Sequence, residues 1–186
     1  VTNGTRAFAA PSRYIQGRHE LDNLLEYTDI YGKKVFAIID CFFYDSLSSK
    51  FEGLYRSQDR QILLECFEGQ ITRAKIAKSS ERARTFSPDV IVGIGGGKTV
   101  DTAKAVADDL HRPVIVAPTT ASTDAPASSL SVLYTEEGVH DGTRHYHKNP
   151  DLVLLDTEIL VHAPVRYLVA GMGDALATYV EAQANA

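Results

Sequence analysis

The chain has 186 residues, with 24 acidic and 19 basic side chains and a formal net charge of −5. That length holds one domain with a sizeable core, or one domain and the start of another. The acidic balance and the scattered Lys and Arg exclude the basic stripe of a nucleic-acid binder. No apolar run approaches the ~18 residues of a membrane span, and the opening Val1-Thr2-Asn3-Gly4-Thr5-Arg6 carries neither a starting Met nor a signal-peptide core.

In chain order, the Lys33-Lys34 pair reads as a solvated strand edge. Val35 to Ile39 is a continuous apolar run, as expected of a strand covered on both faces, and it ends at Asp40. A helix is expected from about Tyr44 to Tyr55, a second strand from Gln61 to Phe67, and a helix from Ile71 to Ala83. Val90 to Ile94 is a third apolar strand. Three glycines follow, and then a helix from Thr99 to Leu110 with Val100, Ala103, Ala107 and Leu110 on one face. Pro113 stops it, and Val114 to Ala117 is the next strand.

Strands alternating with helices imply βαβ units and a parallel sheet. The rhythm changes after Pro118. Thr119 to Ser129 is a polar loop. Leu130 to Tyr134, a turn at Glu136-Glu137-Gly138, and Thr143 to His147 read as an antiparallel hairpin. Leu152 to Leu155 is one more buried strand, closed by Asp156, and from Pro164 the pattern is helical. Residues Ala175 to Ala184 have no expected partner in this chain. We therefore expect an α/β domain over 1–161, a Rossmann-like parallel sheet with an added hairpin, followed at 162–186 by the beginning of a mostly absent α-helical domain. Cys41 and Cys66 lack metal-ligand spacing and do not read as a disulfide framework, which fits a reducing, cytoplasmic setting.

The turn Gly95-Gly96-Gly97-Lys98 joins a buried strand to a helix. Such a turn lets backbone N–H groups approach a phosphate, and the helix dipole favours the anion. It is neither of two familiar phosphate motifs. A Walker A loop ending at Gly97 needs Gly at Val92, and a Rossmann G-x-G-x-x-G needs Gly at Lys98 or at Val100. Asp40 stands where an acidic residue holds ribose hydroxyls, but it precedes the glycines, which requires a different strand order. The loop Thr119-Thr120-Ala121-Ser122-Thr123-Asp124-Ala125-Pro126 offers hydroxyls and a carboxylate at the same sheet edge. Gly171-Met172-Gly173-Asp174 opens the last helix, with Asp174 either an N-cap or a metal ligand. His145 and His147 form an H-x-H pair in the hairpin and are expected to be exposed. His19, His111, His140 and His162 have no ligand-like spacing.

The run Gly93-Ile94-Gly95-Gly96-Gly97-Lys98-Thr99-Val100-Asp101-Thr102-Ala103-Lys104 closely resembles the phosphate turn of the glycerol dehydrogenases, within the iron-containing (group III) alcohol dehydrogenase superfamily. Ser122-Thr123-Asp124-Ala125-Pro126 is similar to that family's signature loop. Gly171 to Ala177 looks like its metal-ligand helix, and Tyr14-Ile15-Gln16-Gly17 also fits. Phe67-Glu68-Gly69-Gln70 and Arg144-His145-Tyr146-His147 depart from the family pattern.

The resemblance implies that Asp40 binds the adenosine ribose and that Gly96, Gly97, Lys98 and Thr99 hold the pyrophosphate of NAD. It implies that Thr119, Ser122, Ser128, Leu130 and Tyr134 line the cofactor site. Asp124 would be the catalytic-site carboxylate on a glycerol hydroxyl, and Asp174 one of three Zn²⁺ ligands. The other two would be histidines beyond residue 186. The implied activity is NAD-dependent, zinc-assisted oxidation of glycerol, or a related vicinal diol, to dihydroxyacetone by a cytoplasmic homo-oligomer. This half alone is expected to be inactive. Two other readings stand beside it. One is a lyase like dehydroquinate synthase, which shares the architecture, NAD and zinc but needs basic residues for its substrate. The other is an incomplete fragment that only binds NAD.

Overall fold

The computed structural model describes residues 8–184. The opening segment considered above and the last two residues lie outside the described residues. Six strands form one all-parallel sheet: β1 (Tyr14–Gly17), β2 (Lys34–Asp40), β3 (Gln61–Phe67), β4 (Val90–Gly95), β5 (Val114–Pro118) and β8 (Leu152–Asp156). Their order across the sheet is β1-β8-β5-β4-β2-β3. The helices are α1 (Leu24–Asp29), α2 (Cys41–Ser57), α3 (Arg73–Phe86), α4 (Gly97–Leu110), α5 (Thr157–His162) and α6 (Val165–Ala184). The expected hairpin is present as β6 (Leu130–Tyr134) and β7 (His140–His145), a separate antiparallel pair.

The continuous apolar runs give a sheet buried on both faces, as parallel sheets require. Phe36, Ile38, Ile91, Val114 and Val116 point to one face and pack with Val100, Ala103 and Val106 of α4, Ile76 of α3 and Leu133 of the hairpin. Val35, Ala37, Ile39, Val92, Ile94, Ile115 and Leu154 point to the other and meet Leu24 of α1 and Phe51 and Tyr55 of α2. The α/β parallel-sheet reading therefore holds.

Several boundaries shift because of caps that composition alone does not place. The Asp40 carboxylate accepts the Phe42 N–H, so α2 begins at Cys41 rather than near Tyr44. Thr72 accepts the Lys75 N–H and starts α3 at Arg73 rather than Ile71. In the hairpin, β7 begins at His140 and ends at His145. Strand β1 and helices α1 and α5, of four to six residues, are too short to show a period of their own. β1 is a half-exposed edge strand, defined only by its register with β8, Tyr14 opposite Val153.

The cysteines are a correction. Cys41 and Cys66 are bonded to each other, with Cα atoms 5.1 Å apart. The register of β2 with β3 sets Ile39 beside Cys66 and Asp40 beside Phe67, which brings the two side chains together across 25 positions of sequence. A sequence spacing does not reveal a cross-strand neighbour. Helix α6 buries none of its residues, and Val165, Leu168, Val169, Met172, Tyr179 and Val180 stay exposed. Among the described residues no helix is long and apolar enough to cross a membrane.

Candidate functional site

The sheet order fixes the site. β2 runs through α2 to β3 on one side, while β4 runs through α4 to β5 on the other. Connections leaving neighbouring strands in opposite directions open a crevice at the strands' carboxyl ends. Here the neighbours are β2 and β4, with Ile39 opposite Ile94. The different strand order that Asp40 requires is therefore present.

A cleft of about 1140 Å³ occupies this crevice. Asp40, Gly96, Gly97, Lys98, Thr99, Thr119 and Ser122 all line it. Phe42 and Phe43 of α2 lie on one side, and Ile159, His162 and Tyr167, from α5 and the start of α6, add a further wall. Seven of the residues implied for the cofactor are thus gathered from three separate strand ends.

The turn itself is shaped by close approach. A Cβ on Gly95 would sit 2.6 Å from Thr99 Oγ1 and 2.9 Å from Asp40 Cβ, so only glycine lets the turn, α4 and the end of β2 meet. At Gly96 a Cβ would meet no atom nearer than Thr120 Oγ1 at 4.0 Å, so its open side is the cleft. Gly96 caps α4 without any side-chain hydrogen bond, unlike the caps of α2 and α3. Thr99 and Val100 donate their N–H groups to the Gly96 carbonyl. The N–H groups of Gly97 and Lys98, the first two of α4, have no acceptor inside the helix, and both residues line the cleft.

The loop after β5 is held on two sides. Asp124 donates its backbone N–H to Asp174 Oδ2 at 2.9 Å. Helix α6 reaches that distance because residue 171 is glycine: a Cβ there would lie 2.1 Å from the Ala121 carbonyl oxygen. The two residues implied for substrate and metal are thereby joined through the Asp124 backbone, although neither is among the residues lining the cleft.

Ser128, Leu130 and Tyr134 do not line the cleft either. Ser128 and Leu130 turn toward α4, where both contact Lys104 Nζ. Tyr134 packs at the edge of the core and against the His140 ring. His145 and His147 are exposed, as expected. Among the described residues no group of three or more His, Cys, Asp or Glu side chains could hold a metal ion.

One feature of α4 escaped sequence reasoning. Asp101 and Lys104 are a buried ion pair, Nζ to Oδ1 2.8 Å, with side chains 7% and 2% exposed. Burial pushes the Asp101 carboxyl up and the Lys104 ammonium down, and their mutual attraction opposes both shifts. The signal was available: two opposite charges spaced i, i+3 on a helix whose residues 99–107 are otherwise small or apolar.

Residues 11–157 match the family model of the iron-containing alcohol dehydrogenases. The chain is 44% identical over 186 aligned residues to a glycerol dehydrogenase of Thermotoga maritima, covering 93% of this chain and 47% of that protein. It is 41% identical to a glycerol dehydrogenase of Escherichia coli, covering 96% and 49%. The crystal structure of a probable glycerol dehydrogenase from Sinorhizobium meliloti superimposes with a TM-score of 0.89 at 42% identity, over 97% of this chain and 48% of that one. The chain thus spans about half the length of the relatives it matches. With the motifs, the sheet order and these relatives in agreement, the chain belongs to the iron-containing alcohol dehydrogenase family.

Proposed function

We propose that this chain is the cofactor-binding half of an NAD-dependent, zinc-assisted polyol dehydrogenase that oxidises glycerol to dihydroxyacetone. The observation that carries it is the switch-point cleft, where Asp40 and the Gly96–Thr99 turn are adjacent although 55 positions separate Asp40 from Gly95 in sequence. The α/β part would be 1–161, and 162–186 would begin a second, helical domain, a division supported by the exposed apolar surface of α6.

The residues fit a dinucleotide. The unfilled space beside Gly96 and the uncapped start of α4 suit a pyrophosphate, and Lys98 is exposed at the same place to meet its charge. Asp40 lines the cleft beside the turn, with one carboxylate oxygen committed to the Phe42 N–H, and is available to ribose hydroxyls. Thr119 and Ser122 would orient the nicotinamide end. Bound there, NAD supplies the hydride acceptor. Asp124 would orient a polyol hydroxyl from the loop beside it. The residues do not by themselves fit a zinc centre: Asp174 is one carboxylate, and no cluster surrounds it among the described residues. Asp174 enters the proposal as a single ligand, and the chemistry these residues support is confined to the cofactor side.

The test is cofactor binding followed by turnover in the complete protein. NAD should bind well ahead of NADP, because the Asp40 carboxylate repels a 2′-phosphate, and Asp40→Ser should narrow that preference by at least tenfold. Glycerol should support NADH formation that a chelator abolishes. Equal binding of NAD and NADP, or no glycerol-dependent NADH, would overturn the proposal.

A further inference from the structure

The buried pair Asp101–Lys104 lies outside the cleft, yet it holds residues 125–132, the segment that follows Asp124. An ammonium has three N–H donors. Lys104 Nζ donates to the Ala125 carbonyl at 2.8 Å and to the Leu130 carbonyl, and stands 2.8 Å from Asp101 Oδ1 as an ion pair. The Ser128 carbonyl and Ser128 Oγ lie further off, both at 3.3 Å. Residues 125–130 are thus wound around one buried charge. Asp101 secures the next segment: its Oδ2 accepts the Val132 N–H at 3.0 Å, and its carbonyl accepts the Ser131 hydroxyl at 2.9 Å. Tyr146 of the hairpin donates to the Ser131 oxygen at 2.7 Å.

Burying two charges is costly, and a well-packed apolar pair would serve stability as well or better. What an ion pair adds is a fixed geometry. Both residues stand on α4, the helix whose first turn is the glycine turn. Lys104 follows Gly97 by two helical turns, about 10 Å along the axis. The wrapped segment starts at the residue after Asp124.

We propose that Asp101 and Lys104 are positioning residues that latch the Asp124 loop to the phosphate-binding helix. They set the distance between the pyrophosphate end of the site and the substrate carboxylate without touching either ligand. The function of the latch rests on the polyol dehydrogenase reading, whereas its mechanical part does not.

Lys104→Met in the complete protein separates the two. ADP-ribose probes the Asp40 and glycine-turn end alone, and its Kd should stay within twofold of the parent. Amide exchange at Ala125, Ala127, Ser128 and Leu130 should rise at least tenfold, while amides of β4 and α4 keep their protection. The kcat with glycerol should fall at least tenfold with little change in KM for NAD. Should Lys104→Met not fold, the Asp101→Asn/Lys104→Met variant removes both buried charges and is expected to give the same split. Unchanged loop exchange in a folded variant overturns the latch. So does a loss of ADP-ribose affinity and of α4 protection in step with the loop, which is what general destabilisation would give. If the parent protein binds no ADP-ribose, the dehydrogenase reading fails, and loop exchange still decides the latch.

Discussion

Asp124 and Asp174 are joined across 50 positions of sequence, the Asp124 N–H donating to Asp174 Oδ2 at 2.9 Å. This bond ties the loop after β5 to α6. It also orients a carboxylate that would otherwise rotate freely on an exposed helix.

Removing the acceptor should free the loop. A hydrogen bond to a charged acceptor contributes about 1.5–3 kcal/mol when buried and less when exposed, as this one is. Asp174→Ala is expected to speed amide exchange at Asp124 by roughly fivefold, equivalent to about 1 kcal/mol. Asp174→Asn keeps an acceptor oxygen and should give a smaller rise. Equal exchange in parent and Ala variant would show that the bond does not hold the loop.

The two glycines of α6 should respond in opposite directions. At Gly171 a Cβ would lie 2.1 Å from the Ala121 carbonyl oxygen, backbone against backbone. Gly171→Ala should push α6 off the loop at a cost of about 1–3 kcal/mol, seen as faster proteolysis of the 119–124 segment and α6. At Gly173 nothing lies within 4 Å of a Cβ. Gly173→Ala should strengthen the helix by about 0.5–1 kcal/mol in this chain, read by circular dichroism on melting. The same sign for both changes would contradict the close approach at Gly171.

The Tyr55 phenol is buried under α2, bonded to Thr28 Oγ1 at 2.7 Å, and burial pushes its pKa up to about 12. A group whose pKa is raised on folding holds its proton more tightly in the native state. Its contribution is complete below the unfolded value near 10 and is lost as pH rises through about 12. Alkaline stability should fall by about 2–3 kcal/mol across that window. Tyr55→Phe, which has no phenol to ionise, should flatten that slope in urea titrations at pH 9 to 12. An unchanged slope would mean that Tyr55 does not govern it.

The Cys41–Cys66 bond closes a loop of 25 residues between the ends of β2 and β3. Closing a loop of that size corresponds to about 3.5 kcal/mol in the chain-entropy account. Protein purified without reductant and then denatured should show no free thiol. Reduction, or Cys66→Ser, should lower stability by up to that amount. Two free thiols in the unreduced protein would refute the pairing.

Much of the frame was legible in the sequence. Runs such as Val35–Ile39 and Val90–Ile94 are short, apolar and rich in Val and Ile, as a strand covered on both faces requires. The alternation of such runs with amphipathic helices gave the parallel sheet, and the glycines at the start of α4 marked a turn that lines the cleft. These are local properties, set by side-chain period and by what a glycine backbone permits.

Adjacency was decided only in three dimensions. Whether Asp40 stands near the glycines depends on β2 lying beside β4, and nothing within either segment encodes which strand is its neighbour. The cysteine pair follows from the register of β2 with β3, and the Asp124–Asp174 bond from how closely Gly171 lets α6 approach. The burial of Lys104 is of the same kind. Its neighbours in sequence make it a helical residue, but only the loop folded back over α4 turns its charge into an anchor. Period and propensity act over a few residues, whereas these four relationships join chain segments brought together by burial of the whole core.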